Sequence, residues 1–276
     1  MDSIIPAPTP MPYTAAGSAG YLRHTEFDSS PTHRNRLASI VAMVARCGSD
    51  PRAIRVLEVG CGVGNICIPL ASLGYDITAT DIHGPSVEKA RARNPFANLK
   101  FVNEPLEKMN IREFDAVILT EVLEHVTTYR DMMKFLTDNM KPGARLILTF
   151  PNGGSLAEWM VRPSYFIKRY AWGRAIVKMV KRVLGGRDLT TANEQTPHVN
   201  FFTLPALEGL FREFGFGVIL FQRYFLNWLI TETFFSERGA DESKAIADFE
   251  RSQQADPSRC ALWAFLLEKR GSHGTG

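Results

Sequence analysis

The sequence is poor in cysteine, in long apolar runs and in excess charge, and each scarcity removes a class of function. Four cysteines occur in 276 residues: Cys47, Cys61, Cys67 and Cys260. None forms a CxxC pair, which argues against a zinc ribbon or a dithiol redox centre. Scattered through apolar segments, they read as buried thiols in a reducing compartment. No stretch approaches the roughly 20 apolar residues that span a bilayer. The nearest, 218–235, is interrupted by Gln222, Arg223 and Glu232. The opening MDSIIPAPTPMPYT lacks the basic start and apolar run of a secretory signal. Together these absences lead to the expectation of a cytoplasmic protein, free or peripheral to a membrane. Net charge is only +3, with mixed signs, so nucleic acid is not an expected partner. No internal repeat is visible.

What is present is an ordinary globular composition, 45% hydrophobic, at a length suited to one large domain with insertions. Residues 1–34, rich in Pro, Ser, Thr and Gly, read as a flexible arm or lid. Leu37, Ile40, Val41 and Val44 give 36–46 helical spacing. Strand patterns follow at 54–59, 76–80, 99–102, 116–120 and 145–150. Helical patterns lie between them at 64–73, 85–93 and 121–139. Apolar strands alternating with helices indicate βαβ units and a parallel, doubly wound α/β sheet. Beyond 197 come a helix (204–214), a strand (217–223), a polar helix (241–252) and a last strand (261–267). The expected organisation is a single domain over 35–270, with a lid insertion at 152–197 and a disordered tail at 271–276.

The first strand ends in Glu58, followed by Gly60, Gly62 and Gly64. Glycines here let the backbone turn sharply and approach a ligand closely. A dinucleotide fingerprint, GxGxxG, would place its third glycine where Asn65 stands. An acidic residue before the loop would repel a pyrophosphate and suits a cationic ligand such as S-adenosylmethionine (SAM). Asp81 ends the second strand, 17 residues after Gly64, where a carboxylate can accept both ribose hydroxyls; a helix N-cap is the alternative. Glu104, after the third strand, is a candidate for the adenine amino group and Leu106 for the adenine ring. Cys61, Ile82 and Thr120, beside these positions, complete the expected cofactor contacts.

The glycine loop, Asp81, FDAVILTEVLEHV at 114–126 and KPGARLILTFPN at 141–152 together resemble the class I SAM-dependent methyltransferases. The resemblance covers about 55–152 and continues more weakly through 198–216. It implies a Rossmann-like, mainly parallel seven-stranded sheet with the last strand antiparallel, and SAM over Gly60–Gly64 and Asp81. Pro105 departs from the family pattern: relatives often bind adenine through a backbone N–H near this place, and proline has none.

Glu121, Glu124 and His125 follow the fourth strand, and on a helix residues i, i+3 and i+4 share one face. Two carboxylates and an imidazole there suit Mg²⁺ or another divalent ion, with His198 as a fourth ligand. The other reading is glutamates favoured by a helix N-terminus, with His198 packed beside Phe201 and Phe202. ExxEH with a later histidine is similar to the O-methyltransferases of ubiquinone biosynthesis and to the small-RNA 3′-terminal 2′-O-methyltransferases. Both resemblances imply a metal holding the accepting oxygens. His125 and Glu121 are the expected catalytic residues, His125 also as a general base.

The 152–197 segment interleaves Trp159, Tyr165, Phe166, Tyr170 and Trp172 with Arg and Lys, and 175–184 has a basic amphipathic pattern. This suits an amphipathic, lipid-like acceptor or a membrane surface; a substrate lid with a solvated basic face is the alternative. The acceptor, a small molecule or a lipid-like one, is not named by the sequence. An RNA 2′-O-methyltransferase, a non-catalytic SAM-binding scaffold and a nicotinamide oxidoreductase stand as alternative functions.

Overall fold

The computed structural model describes residues 24–25, 31–155, 198–226 and 242–270, with positions 170, 172–173, 175 and 179 between. The expected arm, the lid insertion with its amphipathic helix and the tail fall almost wholly outside the described residues.

The chain runs α1 (Pro31–Val44), β1 (Arg55–Val59), α2 (Cys67–Ser72), β2 (Asp76–Thr80), α3 (Gly84–Arg93), β3 (Leu99–Val102) and β4 (Ala116–Thr120). It continues through α4 (Tyr129–Asn139), β5 (Arg145–Pro151), α5 (Leu204–Glu213), β6 (Phe216–Leu226), α6 (Glu242–Gln254) and β7 (Cys260–Lys269). One seven-stranded sheet has the order β3-β2-β1-β4-β5-β7-β6. The first five strands pair in parallel. The last strand, β7, inserts between β5 and β6 and runs antiparallel to both. The mainly parallel seven-stranded sheet with an antiparallel last strand, which the family resemblance implies, is therefore the one observed.

The strands form where apolar residues run almost unbroken, because helices cover both faces of a parallel sheet. β4, Ala-Val-Ile-Leu-Thr, is buried up to its last residue. Alternation divides the core in two. Val56, Ile77, Ile118, Ile147 and Leu220 face α1, α2, α3 and α6. Leu57, Val117, Leu119, Leu148 and Phe265 face α4 and α5.

Two helical expectations are corrected. The pattern at 121–139 is not one helix: a 3₁₀ turn at Leu123–His125 precedes α4, which begins at Tyr129. Glu121 itself has φ +54°, which no α-helix accommodates. The pattern at 64–73 becomes the short α2, because Gly64 sits at φ +85° and delays the helix.

The strand order reverses between β1 and β4, each of which has one sheet half on its far side. Ligands of open α/β sheets bind beyond the carboxyl ends at such a switch point.

Candidate functional site

The loop after β1 fills this switch point. Gly60, Gly62 and Gly64 all have positive φ, at +74°, +52° and +85°. They differ in what surrounds them. A Cβ on Gly60 would lie 2.7 Å from Cγ2 of Val122, and one on Gly64 would lie 2.7 Å from Cδ1 of Ile68. A Cβ on Gly62 would meet nothing within 4 Å. Gly60 and Gly64 serve close packing, whereas Gly62 presents bare backbone to open space.

The loop is tied to the end of β2. Gly60 and Cys61 donate their backbone N–H groups to Thr80 O at 2.8 and 3.1 Å. Gly62 N–H donates to Asp81 Oδ2 at 2.8 Å, and His83 N–H to Asp81 Oδ1 at 2.8 Å. Asp81 thus holds the glycine loop while keeping lone pairs on both oxygens. Ile82, beside it, is a large apolar side chain left 79% exposed. Arg93, at the end of α3, donates to Val63 O at 2.6 Å and Asn65 Oδ1 at 3.2 Å, fixing the far side of the loop.

Glu58 is fully buried beneath the loop, and its Oε2 has no hydrogen-bond partner among the described residues. Burial pushes its carboxyl up to about 7, opposed by hydrogen bonds from the Cys67 thiol and backbone N–H. Arg36 of α1 also pulls it down, more weakly. A buried carboxyl with one unpartnered oxygen fits a cationic ligand group that supplies the missing donor.

Strand alternation extends this polar spot into a layer. Thr120 of β4, Thr149 of β5 and Tyr224 of β6 share the α1-facing side with Glu58, each two residues after an apolar member or within that cluster itself. Above them, α1 carries Asn35, Arg36 and Ser39. Tyr224 is fully buried, and its hydroxyl finds no partner among the described residues. Burial raises its phenol strongly, and the charges of Glu121 and Arg36 both reach it. Arg36 Nε is likewise buried without a partner among the described residues. Sequence reasoning missed Arg36, Thr149 and Tyr224. The polar stripe Asn35-Arg36-Ser39 inside a buried helix was the available signal for the first.

Cys61 is buried in the loop and Thr120 is half-buried at the end of β4. Glu104 has an exposed side chain, while its backbone oxygen accepts from Thr80 Oγ1 at 2.5 Å. Leu106 is only 3% exposed and belongs to the α4-facing core.

The residues expected to activate the acceptor separate into two places. Glu124, His125 and His198 bring one ligand atom each to within 4.8 Å of one another. The His125 and His198 rings lie 4.9 Å apart between centroids. Glu124 is fully buried and His198 nearly so. The 198–200 segment is fastened to the turn that carries the other two. Val199 and Asn200 donate backbone N–H groups to Glu124 O at 2.8 and 3.0 Å. Asn200 Nδ2 donates to Leu123 O at 2.9 Å and Val126 O at 2.8 Å. Glu121 is not in this group. Its Oε1 accepts from Thr149 Oγ1 at 2.8 Å, on the α1-facing side of the sheet. The shared helix face that would have joined it to Glu124 and His125 does not form.

Against known proteins, the family model described as a methyltransferase domain matches residues 32–220. The chain is 29% identical over 120 residues to a ubiquinone biosynthesis O-methyltransferase of Rickettsia canadensis, covering 42% of this chain and 51% of that protein. It is 34% identical over 101 residues to the mitochondrial ubiquinone biosynthesis O-methyltransferase of Schizosaccharomyces pombe, covering 34% and 37%. The chain thus spans about half the length, or less, of these curated relatives. Among solved structures, magnesium protoporphyrin IX methyltransferase from Synechocystis with bound S-adenosylhomocysteine (SAH) aligns with TM-score 0.51 at 17% identity, covering 87% of this chain and 84% of that one. A complex of the Haloferax volcanii Trm112 activator with a methyltransferase aligns with TM-score 0.55 at 14% identity, covering 92% and 96%. At these identities the structures bear on the fold alone.

Proposed function

The chain belongs to the methyltransferase domain family, and from that premise we propose that it moves a methyl group from SAM to an oxygen of a small or lipid-like acceptor. The observation that carries the cofactor half is the pairing of Gly62, open above and at φ +52°, with the buried, half-satisfied Glu58 below. SAM supplies an electrophilic methyl on a sulfonium. In this reading Asp81 accepts from the ribose hydroxyls through its remaining lone pairs. Glu58 takes the cofactor's ammonium, and Arg36 with Tyr224 takes its carboxylate. Ile82 lies against the adenine, with Glu104 at its amino group. Leu106, already buried, supports that pocket from below.

The acceptor half rests on Glu124, His125 and His198. Two imidazoles and one carboxylate at this spacing fit a divalent first-row transition ion such as Mn²⁺ better than Mg²⁺, which prefers oxygen ligands. Such an ion would lower the acceptor oxygen's pKa and fix its position. The chain's own contribution is to orient the acceptor; in the absence of an ion, His125, the half-buried member of the group, is instead the base that receives its proton. The O-methyltransferase relatives support oxygen as the accepting atom. The exposed, stacked rings of Tyr170 and Trp172, 5.9 Å apart, support a lipid-like acceptor delivered at a membrane surface. No helix among the described residues is long and apolar enough to cross a membrane.

The test is transfer of radiolabelled methyl from SAM to 3,4-dihydroxybenzoate and to a prenylated catechol, with Mn²⁺ and with EDTA. The reading expects a methyl ether, more of it on the prenylated acceptor, and loss of transfer in EDTA. Transfer to nitrogen acceptors alone would overturn it, and full activity in EDTA would remove the metal.

A further inference from the structure

Glu121 is the one non-glycine residue with positive φ among the described residues. Such a backbone persists only where its surroundings hold it, and it marks functional sites. Here the holder is a single hydroxyl. Thr149 Oγ1 accepts from Glu121 N–H at 3.1 Å and donates to Glu121 Oε1 at 2.8 Å. One side chain therefore binds both the main chain and the carboxylate of the same residue. Thr149 is 1% exposed and pairs with Thr120 in the last rung of the β4–β5 ladder. It cannot swing away to solvent.

The consequence is directional. The next residues, Val122 and Leu123, pack on the α4-facing side, away from this ring. With the ring in place, the carboxylate stays on the α1-facing side, in the polar layer of Glu58, Tyr224 and Arg36. That layer then holds two carboxyl groups and one guanidinium. SAM brings the matching set, two cations and one carboxylate. Its demethylated product SAH brings one cation fewer, having lost only the sulfonium charge.

We propose that Thr149 is a positioning residue that holds the Glu121 carboxylate toward the sulfonium, so that the Thr149–Glu121 pair makes the protein prefer SAM over SAH. The inference rests on the SAM reading above. It assigns Glu58 to the ammonium, common to both ligands, and Glu121 to the charge that only SAM carries. An opposite charge held in a partly dry site is felt more strongly than in water, and product loses that attraction on transfer.

Calorimetric titration of the full chain with SAM and separately with SAH tests it. Thr149→Val keeps the shape and removes the hydroxyl. It is expected to weaken SAM roughly tenfold, the loss of one charge-assisted contact, and to leave SAH within about twofold. Glu121→Gln should do the same, Thr149→Ser should restore the wild-type ratio, and the double variant should be no worse than Glu121→Gln. Equal weakening of SAM and SAH in Thr149→Val would reduce Thr149 to a structural role and overturn the proposal. Unchanged affinity for both would overturn it too. Failure of the wild-type protein to bind either ligand would instead overturn the cofactor reading, and the proposal with it.

Discussion

Gly62 donates its backbone N–H to the Asp81 carboxylate at 2.8 Å, so the residue assigned to the ribose also braces the loop assigned to the methionine half. The two ends of the proposed cofactor site are one hydrogen-bonded unit before any ligand arrives. Asp81→Ala should therefore cost more than two ribose contacts. The expected loss is about 10- to 100-fold in SAH affinity, the range of one or two charged hydrogen bonds. Asp81→Asn, which keeps one acceptor, should fall between. Calorimetry with SAH checks both.

The glycines predict a split between stability and binding. Gly60→Ala drives a Cβ into Val122, a stiff β-branched side chain 2.7 Å away, and forces alanine into positive φ. Its unfolding free energy should drop by about 2–4 kcal/mol. Gly62→Ala meets open space and should cost only about 1–2 kcal/mol, from backbone strain. Yet its Cβ would stand where the ligand approaches, so SAH binding should be lost disproportionately. Denaturant melts and titrations of the two variants separate the effects.

Glu58 predicts a pH signature. Burial raises its folded-state carboxyl from 4.5 to about 7. Between those values the folded protein holds a proton that the unfolded chain has released, so stability falls as pH rises through this window. Glu58→Gln should flatten that slope and melt higher than wild type at pH 8. A cofactor ammonium favours the ionised form, so SAM binding near pH 6 should release a proton. Titrations in buffers of different ionisation enthalpy would count it; no proton release would remove Glu58 from the ammonium site.

Glu124, His125 and His198 predict a metal affinity that needs no acceptor. Mn²⁺ should bind the wild-type chain, and His198→Ala should abolish binding. Asn200→Asp keeps the shape but removes the amide donors to Leu123 O and Val126 O. It should weaken Mn²⁺ by about 10-fold or more, as loss of supporting contacts around ligands does, while SAH affinity stays unchanged. Paramagnetic resonance reads the bound ion directly.

The sheet was legible in the sequence because buried parallel strands are continuous apolar runs. The bounds 76–80, 99–102 and 116–120 match β2, β3 and β4 to the residue. Glu58, the three glycines and Asp81 stood out because their types are rare at the end of such runs. The segment after β4 reads as one helix because its apolar pattern is helical, whereas a left-handed Glu121 and a 3₁₀ turn interrupt it in the structure. Thr149 and Tyr224 were invisible for a related reason. In sequence they are ordinary strand residues, and their role comes from register and sheet order, which place Glu58, Thr120, Thr149 and Tyr224 on one face.

The central claim is that the loop at Gly60–Gly64, with Glu58 and Asp81, holds SAM. Calorimetric titration of the purified chain with SAH, and in parallel with NAD, tests it most directly. The account predicts one SAH site per chain, weakened by Asp81→Ala, and no measurable heat with NAD. Saturable NAD binding without SAH binding would contradict it.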